Sequence, residues 1–568
     1  MKKRILFVGA ISLLTLSLTA CQFIEDYIND FLNFGGSGAG KNSFSQVVAS
    51  SRQPISDVST PPASKDVTAN HADKNYSDLV ANSIYAFSCT PSTGSAKLLV
   101  IPVWFNNSDT FIKTANRDKV KEDIHSVYFG TNSDVGWRSV KTYYEEESHG
   151  ALTLNGTVSD WYEINKSHDY YAGDSNDPSE GTNRTVALVE QATDWYFNTN
   201  TSESRRDYDA DNDGYLDGVM LIYAAPDYGT LKKDRYQNLW AYCYWVQDPT
   251  VQKPSNPGVN AFFWASYDFM YGNEVASSRT GTSYCAGDTS HAQIDAHTYV
   301  HEMGHMFGLE DYYDYSSRSY SPAGGFSMQD FNVGGHDPFS SFALGWGKAY
   351  VPTKDEIIDL KPFSTSGEMI LLTPSWNAYN SPFDEYILLE YYTDTGLNEL
   401  DSTYGYMSQY GKKYPIGTKD YGIRVWHVDA RLLYTSTGEF SPSKITTNPS
   451  FSSGRVAMMM SNTYDDGSEI TRQYVSPLSQ DPTSRYYDSR YAQFNLLQLI
   501  RNDTKLSSKT KDYFTGSSLF KAGDVFTMSN YSSQFVNAGK LDSNTDLGFS
   551  FEINACNNTY ASISIKKL

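Results

Sequence analysis

Residues 301–311 read HEMGHMFGLED and decide the fold and the chemistry expected of this chain. His301 and His305 are four residues apart, so on a helix their imidazoles lie one turn apart on the same face. Two imidazoles in this arrangement can bind one zinc ion at about 2.0–2.1 Å. Glu302 lies one step round the helix, where it can take a proton from a zinc-activated water without binding the metal.

The third zinc ligand is expected just after this helix. Gly308 lets the chain turn, and the turn can bring Asp311 back to the metal, leaving a fourth position for water or substrate. A more distant carboxylate, Glu390, is the alternative ligand. His297 also lies on this face, one turn earlier, and is expected to support the ligands or to pack beside them. A chance HExxH is expected only about 0.01 times in a chain of this His content, so the pattern is specific.

The composition excludes several classes of protein. The chain has 568 residues, of which 40% are hydrophobic and 15% aromatic, so it is not wholly disordered and is expected to form two to four domains. Its net charge is −21, whereas a nucleic-acid binder needs a basic surface, so no nucleic-acid partner is expected. A single long apolar run excludes a polytopic membrane protein.

The N-terminus has the pattern of an export signal. Residues 1–20 combine a basic start with a short apolar stretch, which predicts a lipoprotein signal peptide. The sequence around Cys21 resembles a bacterial lipobox, which implies cleavage before Cys21 and attachment of lipid to its thiol. We therefore expect an exported protein held at the bacterial cell surface, with the membrane as partner through this lipid.

Three further regions follow along the chain. Residues 21–90 are predicted to be the lipidated cysteine and a flexible linker, with a propeptide that blocks the site as the alternative. Residues 95–350 are predicted to form an α+β domain, because buried strand patterns such as 98–105 and 219–223 alternate with helical ones. Residues 351–568 show short strands between turn residues and are predicted to form an all-β, sandwich-like region.

A methionine follows the zinc helix at a distance that has a parallel in metzincins. In those enzymes a Met in a tight turn packs beneath the metal, and Met328 is the candidate here. Met is also a common filler of hydrophobic cores, which is the alternative role for this residue.

These segments together resemble the immune inhibitor A family of secreted bacterial metallopeptidases. The resemblance extends from the strand at 99–105 and the helix at 139–150 to the segments at 335–346 and 385–390, and also includes 425–429. It implies a metzincin-like domain and an extracellular zinc endopeptidase that acts on proteins or peptides. Carried over, the resemblance assigns zinc to His301, His305 and Asp311, the base to Glu302 and the turn methionine to Met328.

One position departs from the metzincin pattern. The residue two after Met328 is Asp330 and not the Tyr that stabilises the transition state in many metzincins. His336, Tyr312 and Tyr313 are the candidates to contact the substrate or to polarise the scissile carbonyl, and the sequence does not select one.

A second metal site is predicted at residues 209–217, which read DADNDGYLD. Carboxylates at alternating positions, followed by a glycine that permits a sharp turn, can wrap one Ca²⁺. The candidate calcium ligands are Asp209, Asp211, Asp213 and Asp217. The resembling family has a similar acidic stretch, which favours a structural role, whereas a solvated acidic turn is the alternative.

Other functions and the cysteines remain open from the sequence. The alternative function is a surface adhesin, or a glycan- or protein-binding lipoprotein, on a protease-like scaffold. An intact zinc motif argues against that reading, and a solute-binding lipoprotein would carry no such motif. The export signal permits disulfides, but the sequence does not pair the candidates Cys89, Cys243, Cys285 and Cys556, and Cys89 is a further candidate zinc ligand.

Overall fold

The structure is a computed structural model that describes most of the chain from residue 65 onward. The described residues are 65–66, 72–82, 88–173, 178–231, 238–246, 248–271, 273–282, 294–313, 321–330, 332–403, 417–435, 441–450, 455–463, 489–491, 494–505 and 513–568. The predicted signal peptide at 1–20, the lipidation site Cys21 and Cys285 lie outside them. Within these ranges, every helix is too short or too polar to cross a membrane.

The strands belong to four sheets. In chain order they are β1 (Lys65–Asp66), β2 (Gly94–Phe105), β3 (Leu152–Val158), β4 (Tyr162–Ile164), β5 (Val219–Tyr223), β6 (Tyr242–Trp245), β7 (Ala261–Ser266), β8 (Lys348–Tyr350), β9 (Glu356–Leu360), β10 (Glu368–Leu372), β11 (Glu385–Tyr392), β12 (Gly422–Asp429), β13 (Leu432–Thr435), β14 (Ile445–Thr446), β15 (Arg455–Met458), β16 (Leu497–Ile500), β17 (Val525–Phe526), β18 (Phe549–Cys556) and β19 (Ala561–Lys567).

The α-helices are concentrated in the first half of the chain. They are α1 (Tyr76–Asn82), α2 (Arg117–Phe129), α3 (Val140–Glu147), α4 (His168–Ala172), α5 (Pro178–Thr199), α6 (Asn273–Thr280), α7 (His297–Met306), α8 (Pro338–Ala343), α9 (Phe363–Ser366) and α10 (Asn398–Thr403). The helix expected around the zinc motif is α7.

The first sheet has the order β3-β2-β5-β7-β6, and β4 pairs with the far end of β2. All of its pairs are parallel except the one between β6 and β7. Strand β5 is buried along its whole length, which explains why it is apolar without alternation. Helix α7 contacts β6 and β7, so this sheet carries the helix that holds the candidate ligands.

Two further sheets form a sandwich in the C-terminal half. The inner sheet has the order β16-β12-β11-β10-β8, and the outer one the order β1-β9-β19-β18-β17. Strands β13, β14 and β15 form a small separate antiparallel sheet. The predicted combination of a mixed helix-and-sheet body with a β-rich C-terminal region is confirmed, although α9 and α10 make that region less than purely β.

The inner sheet of the sandwich is buried on both faces. Along β10, Met369 and Leu371 join the core of the first sheet, whereas Ile370 and Leu372 join the core between the two sandwich sheets. Successive side chains of a strand point to opposite faces, so one strand can serve both cores. The β-rich region is therefore packed onto the half of the molecule that contains α7.

The described residues between 65 and 92 are built into this body. Strand β1 pairs with β9 at the edge of the outer sheet, and the ring of Tyr76 in α1 is 2% exposed. Farther along, the Thr90 N–H donates to the Met306 carbonyl at 2.8 Å. The described part of the range expected to be a flexible linker thus contains a strand and a helix with a buried face.

Candidate metal centre

Helix α7 presents His301 and His305 side by side. Their ring centroids are 5.0 Å apart, as expected for residues one helical turn apart. The helix ends at Met306, and beyond that end the Leu309 N–H donates to the Gly304 carbonyl. Gly308 has a φ of +100°, a conformation that other residues rarely adopt, and it turns the chain back towards the helix.

The turn brings Asp311 to the two imidazoles. Its Oδ1 lies 3.1 Å from Nε2 of His301 and 3.4 Å from Nε2 of His305. Ligand atoms that each lie 2.0–2.1 Å from one tetrahedral zinc ion are about 3.3 Å apart. The two distances to Asp311 therefore match edges of such a tetrahedron, and the three atoms all lie within 4.8 Å of one another. The Asp311 side chain is 1% exposed.

The opposite ring nitrogens fix the orientation of both imidazoles. Nδ1 of His301 donates to the Met328 carbonyl, and Nδ1 of His305 donates to the Leu309 carbonyl, both at 2.8 Å. A neutral imidazole protonated at Nδ1 has its lone pair on Nε2. Apart from Asp311, the described residues offer neither Nε2 a partner, and both atoms are buried. This donor set fits a zinc ion.

The electrostatics of the cluster also favour a cation. Burial by itself would raise the pKa of Asp311, but the neighbouring His305 and His301 hold it well below its usual range. Burial lowers and Asp311 raises the pKa of His305, and the net result is a pKa of about 9. The carboxylate therefore attracts positive charge to the Nε2 positions, and a metal ion would supply that charge in place of a proton.

Glu302 is fully buried beside the ligands and contributes an electrostatic interaction with His305. Met328 is 2% exposed and belongs to the main hydrophobic core. It lies in the middle of a turn that closes where the Asp330 N–H donates to the Ser327 carbonyl. The turn is thus in contact with the ligand helix through the hydrogen bond that Met328 accepts from His301.

Glu390, the alternative ligand, and His297, which was expected to support the ligands or to pack beside them, both have other partners. Glu390 accepts a hydrogen bond from the Trp426 indole at 2.8 Å and pairs with Arg424 at 3.5 Å. His297 donates from Nε2 to the Asn332 carbonyl at 2.9 Å. Neither residue belongs to the cluster that could hold the metal, which consists of His301, His305 and Asp311.

The three candidates for substrate contact differ in their surroundings. The Tyr312 hydroxyl is bonded to Ser340 Oγ at 2.7 Å, and Tyr313 is buried. His336 lies 3.4 Å from the Tyr144 hydroxyl, which donates to the Val300 carbonyl just before the first ligand. Burial, with added repulsion from His301 and His305, lowers the pKa of His336 to about 3, so the ring is neutral.

Local patterns in the sequence did not point to Tyr144 as part of this site. Its helix, α3, was expected from the sequence, but its contact with the ligand helix joins residues 156 positions apart. Local periodicity in a sequence cannot reveal a contact between such distant residues. The sequence showed only that this helix has an apolar face.

The acidic loop gathers three of its four candidate ligands. Asp209, Asp211 and Asp213 each offer an oxygen within 4.8 Å of the others. The Asp217 carboxylate instead accepts the backbone N–H groups of Ala210 and Lys97 at 2.9 and 3.3 Å. Asp209 Oδ1 is buried and has no hydrogen-bond partner in the described structure.

A third polar cluster lies between the sandwich sheets and was not predicted. His427 pairs with Glu385 at 3.0 Å, and Glu385 also accepts the N–H groups of Asp542 and Ser543. Arg431 pairs with Asp429 at 2.7 Å and approaches Glu385 to 3.8 Å. Hydrogen bonds and ion pairs already satisfy Glu385, so we interpret this cluster as an ion-pair network.

The described cysteines Cys89, Cys243 and Cys556 are free thiols. Cys89 is buried beside Ser77, and burial raises the pKa of its thiol to about 12. It is not a member of the described metal-binding clusters. The alternative of a Cys89 thiolate on the metal is therefore not supported by its position.

Comparison with known proteins identifies the region around this centre. Residues 97–329 match the model of the immune inhibitor A peptidase M6 catalytic domain. The pre-pro-metalloproteases PrtV of two Vibrio cholerae serotype O1 strains, M66-2 and El Tor Inaba N16961, are 28% identical over 209 residues. The match covers 33% of this chain and 20% of the relatives, so the chain spans about a fifth of their length. The chain thus carries a metallopeptidase domain of the immune inhibitor A family.

Proposed function

We propose that this chain is a zinc-dependent endopeptidase that hydrolyses peptide bonds of extracellular proteins. The observation that carries the proposal is the convergence of His301 Nε2, His305 Nε2 and Asp311 Oδ1 within 4.8 Å of one another, with Asp311 Oδ1 at 3.1 and 3.4 Å from the two Nε2 atoms. The family of the catalytic domain favours the same reaction, with a protein or peptide as substrate. We further propose that the domain is metzincin-like, with Met328 as its turn methionine.

Glu302 is proposed to be the general base. A bound Zn²⁺ would act as a Lewis acid towards the scissile carbonyl and the attacking water. Glu302 takes a proton from that water and passes it to the leaving amine. Its position one residue after His301, inside a buried site, keeps the carboxylate beside the ligands without making it one of them.

His336 is the substrate contact that the surroundings favour. Its Nδ1 is buried and has no hydrogen-bond partner among the described residues. Its Nε2 lies 3.4 Å from the Tyr144 hydroxyl, which donates to the carbonyl of Val300, the residue before the first ligand. The hydroxyl of Tyr312 is already engaged with Ser340. We expect His336→Gln to lower kcat/KM and Tyr312→Phe to leave it near the wild-type value. The opposite ranking would transfer the role to Tyr312.

Calcium is proposed as a structural ion. Asp209, Asp211 and Asp213 supply the oxygens, and the unpartnered Asp209 Oδ1 favours a cation in the loop. Asp217 is proposed to support the loop through the two N–H groups that it accepts. These bonds modify the expectation that all four carboxylates bind the ion.

Export and lipid anchoring are proposed from the sequence of residues 1–21. The division of the chain into a peptidase domain at 95–350 and a β-rich region at 351–568 is a separate proposal. The experiment is expression in a bacterial host with labelled palmitate. We expect label in the membrane-bound wild type and none in Cys21→Ser. Equal labelling of both proteins would exclude Cys21 as the anchor.

Hydrolysis of casein tests the proposed activity. The purified chain is compared with Glu302→Gln and with Glu122→Gln, a matched change at an exposed position. We expect Glu302→Gln to lower kcat/KM by about 10²–10⁴-fold, a metal chelator to abolish cleavage, and Glu122→Gln to have no effect. Equal rates for Glu302→Gln and the wild type would refute the assignment of the base. Binding without cleavage would favour the adhesin alternative.

A further inference from the structure

Gln329 joins the methionine turn to the ligand helix. Its side chain is fully buried, and its Nε2 lies 3.3 Å from Nδ1 of His305. A Cβ atom built on Gly304 would lie 2.2 Å from Gln329 Oε1, closer than any real contact. The glycine between the two ligand histidines therefore makes room for this amide.

The hydrogen-bond pattern assigns the orientation of the amide. Nδ1 of His305 carries a proton, because it donates to the Leu309 carbonyl at 2.8 Å. An amide nitrogen cannot accept that proton, whereas an amide oxygen can. Rotation of the Gln329 amide by 180° places its oxygen at this position, and Oε1 otherwise has no partner in the described structure. Gln329 and Leu309 then share the Nδ1–H.

The backbone of the same turn reaches the other two ligands. The Met328 carbonyl accepts from His301 at 2.8 Å. The Gln329 carbonyl accepts the N–H of Tyr312, the residue after Asp311, also at 2.8 Å. Two consecutive residues therefore contact the surroundings of all three candidate ligands, and Gln329 is the one whose side chain takes part.

We propose that Gln329 is a positioning residue for the metal site, which orients His305 by accepting its Nδ1–H and thereby raises the basicity of Nε2. Hydrogen bonds of this kind fix the ring and strengthen a histidine ligand. The inference rests on the proposed zinc site and does not require that the chain cleave proteins.

Zinc affinity tests the proposal independently of catalysis. Zn²⁺ is titrated into the metal-free full chain in competition with a chromogenic chelator. Gln329→Leu keeps most of the volume but has no acceptor, and we expect a Kd about 10–100-fold higher than that of the wild type. Gln329→Glu restores an acceptor, and we expect an affinity at least equal to the wild type.

Gln534→Leu is the matched control for loss of a buried glutamine. The Gln534 amide exchanges hydrogen bonds with the backbone of Arg501, outside the metallopeptidase domain. We expect this variant to bind zinc like the wild type even if its Tm falls. Wild-type affinity in Gln329→Leu, or equal weakening in both Leu variants, would overturn the proposal while leaving the zinc site intact. A wild type that binds no zinc would overturn both.

A double-mutant cycle covers the case in which Gln329→Leu folds poorly. Gly304→Ala should displace the Gln329 amide and weaken zinc binding, whereas in a Gln329→Ala background the added methyl group has room. We therefore expect the effects of the two substitutions on zinc affinity to be strongly non-additive. Additive effects would show that the two positions do not interact and would contradict the proposal.

Discussion

At the scale of single residues, the identity of the third ligand decides the character of the site. Asp311 and Glu390 were both possible carboxylates from the sequence. Asp311 lies between the two Nε2 atoms, whereas Glu390 is committed to Trp426 and Arg424. A buried carboxylate that already has such partners would have to give them up in order to bind a metal ion.

Replacement of the two carboxylates should separate their roles. We expect Asp311→Asn to weaken zinc binding by more than the 10–100-fold typical of residues that only support a ligand, because it removes the negative charge of a direct ligand and leaves a neutral amide oxygen. Glu390→Gln should destabilise the fold without changing zinc affinity, as measured by chelator competition. Loss of zinc from Glu390→Gln alone would exchange the two assignments.

At the scale of elements, helix α1 braces the turn that carries Asp311. Val80 and Tyr76 of this helix lie against Gly308. The ring of Tyr76 also packs edge-on against Phe339 and Phe383, with centroids 6.2 and 5.4 Å away. The N-terminal segment thus contributes to the core beside the metal centre, although its composition resembled that of a linker.

Truncation of Tyr76 measures this contribution. We expect Tyr76→Ala to lower the free energy of unfolding by about 3–5 kcal/mol, the usual cost of removing a large buried aromatic ring. Tyr379, which is 47% exposed, is the control, and Tyr379→Ala should change stability by less than about 0.5 kcal/mol. Denaturant unfolding measures both, and equal stabilities would show that α1 does not pack as described.

The acidic loop is a second element whose role can be measured by stability. Burial, followed by repulsion from Asp211, raises the pKa of Asp213 to about 6, and a bound cation would relieve that repulsion. We expect Ca²⁺ at a hundredfold excess over its Kd to stabilise the wild type by about 2.7 kcal/mol. Asp211→Asn should lose most of this gain, and a calcium-independent Tm in the wild type would argue for a solvated turn.

At the scale of the whole molecule, the inner sheet of the sandwich makes one packed unit of the two halves of the chain. Its strands contribute to both cores, and the network around His427 ties it to the loop at Asp542. The β-rich region is therefore expected to stabilise the metallopeptidase domain.

The ion-pair network predicts a pH dependence of stability. Burial lowers the pKa of His427, but Asp542, Glu385 and Asp429 raise it, and the net value is about 9. The charged His427 therefore stabilises the fold fully below the unfolded pKa of about 6.5, and this contribution is lost as the pH rises through 9.

Thermal unfolding of His427→Gln from pH 6 to 10 checks this dependence. We expect the wild type to have the higher Tm at pH 6 and the two curves to converge above pH 9, where the wild type has lost the imidazolium charge that the variant lacks at every pH. A difference in Tm that stays constant with pH would contradict the assignment of charge to His427.

The sequence alone determined the chemistry of the ligand helix and most of the elements. The spacing of His301 and His305 requires only a helix, and a helix is specified by neighbours three and four residues apart. Buried strands such as β5 were equally visible, because an apolar run bounded by polar residues is a local signal.

The tertiary structure alone decided how distant residues complete the site. Packing between segments places Asp311, and not Glu390, beside the two histidines. It also forms the hydrogen bond from His301 to the methionine turn and the contact between Gln329 and Gly304. The burial of Tyr76 and the network at His427 join residues far apart in the chain. Such contacts produce no periodic pattern in a single sequence, because they form only when distant segments pack together in the folded protein.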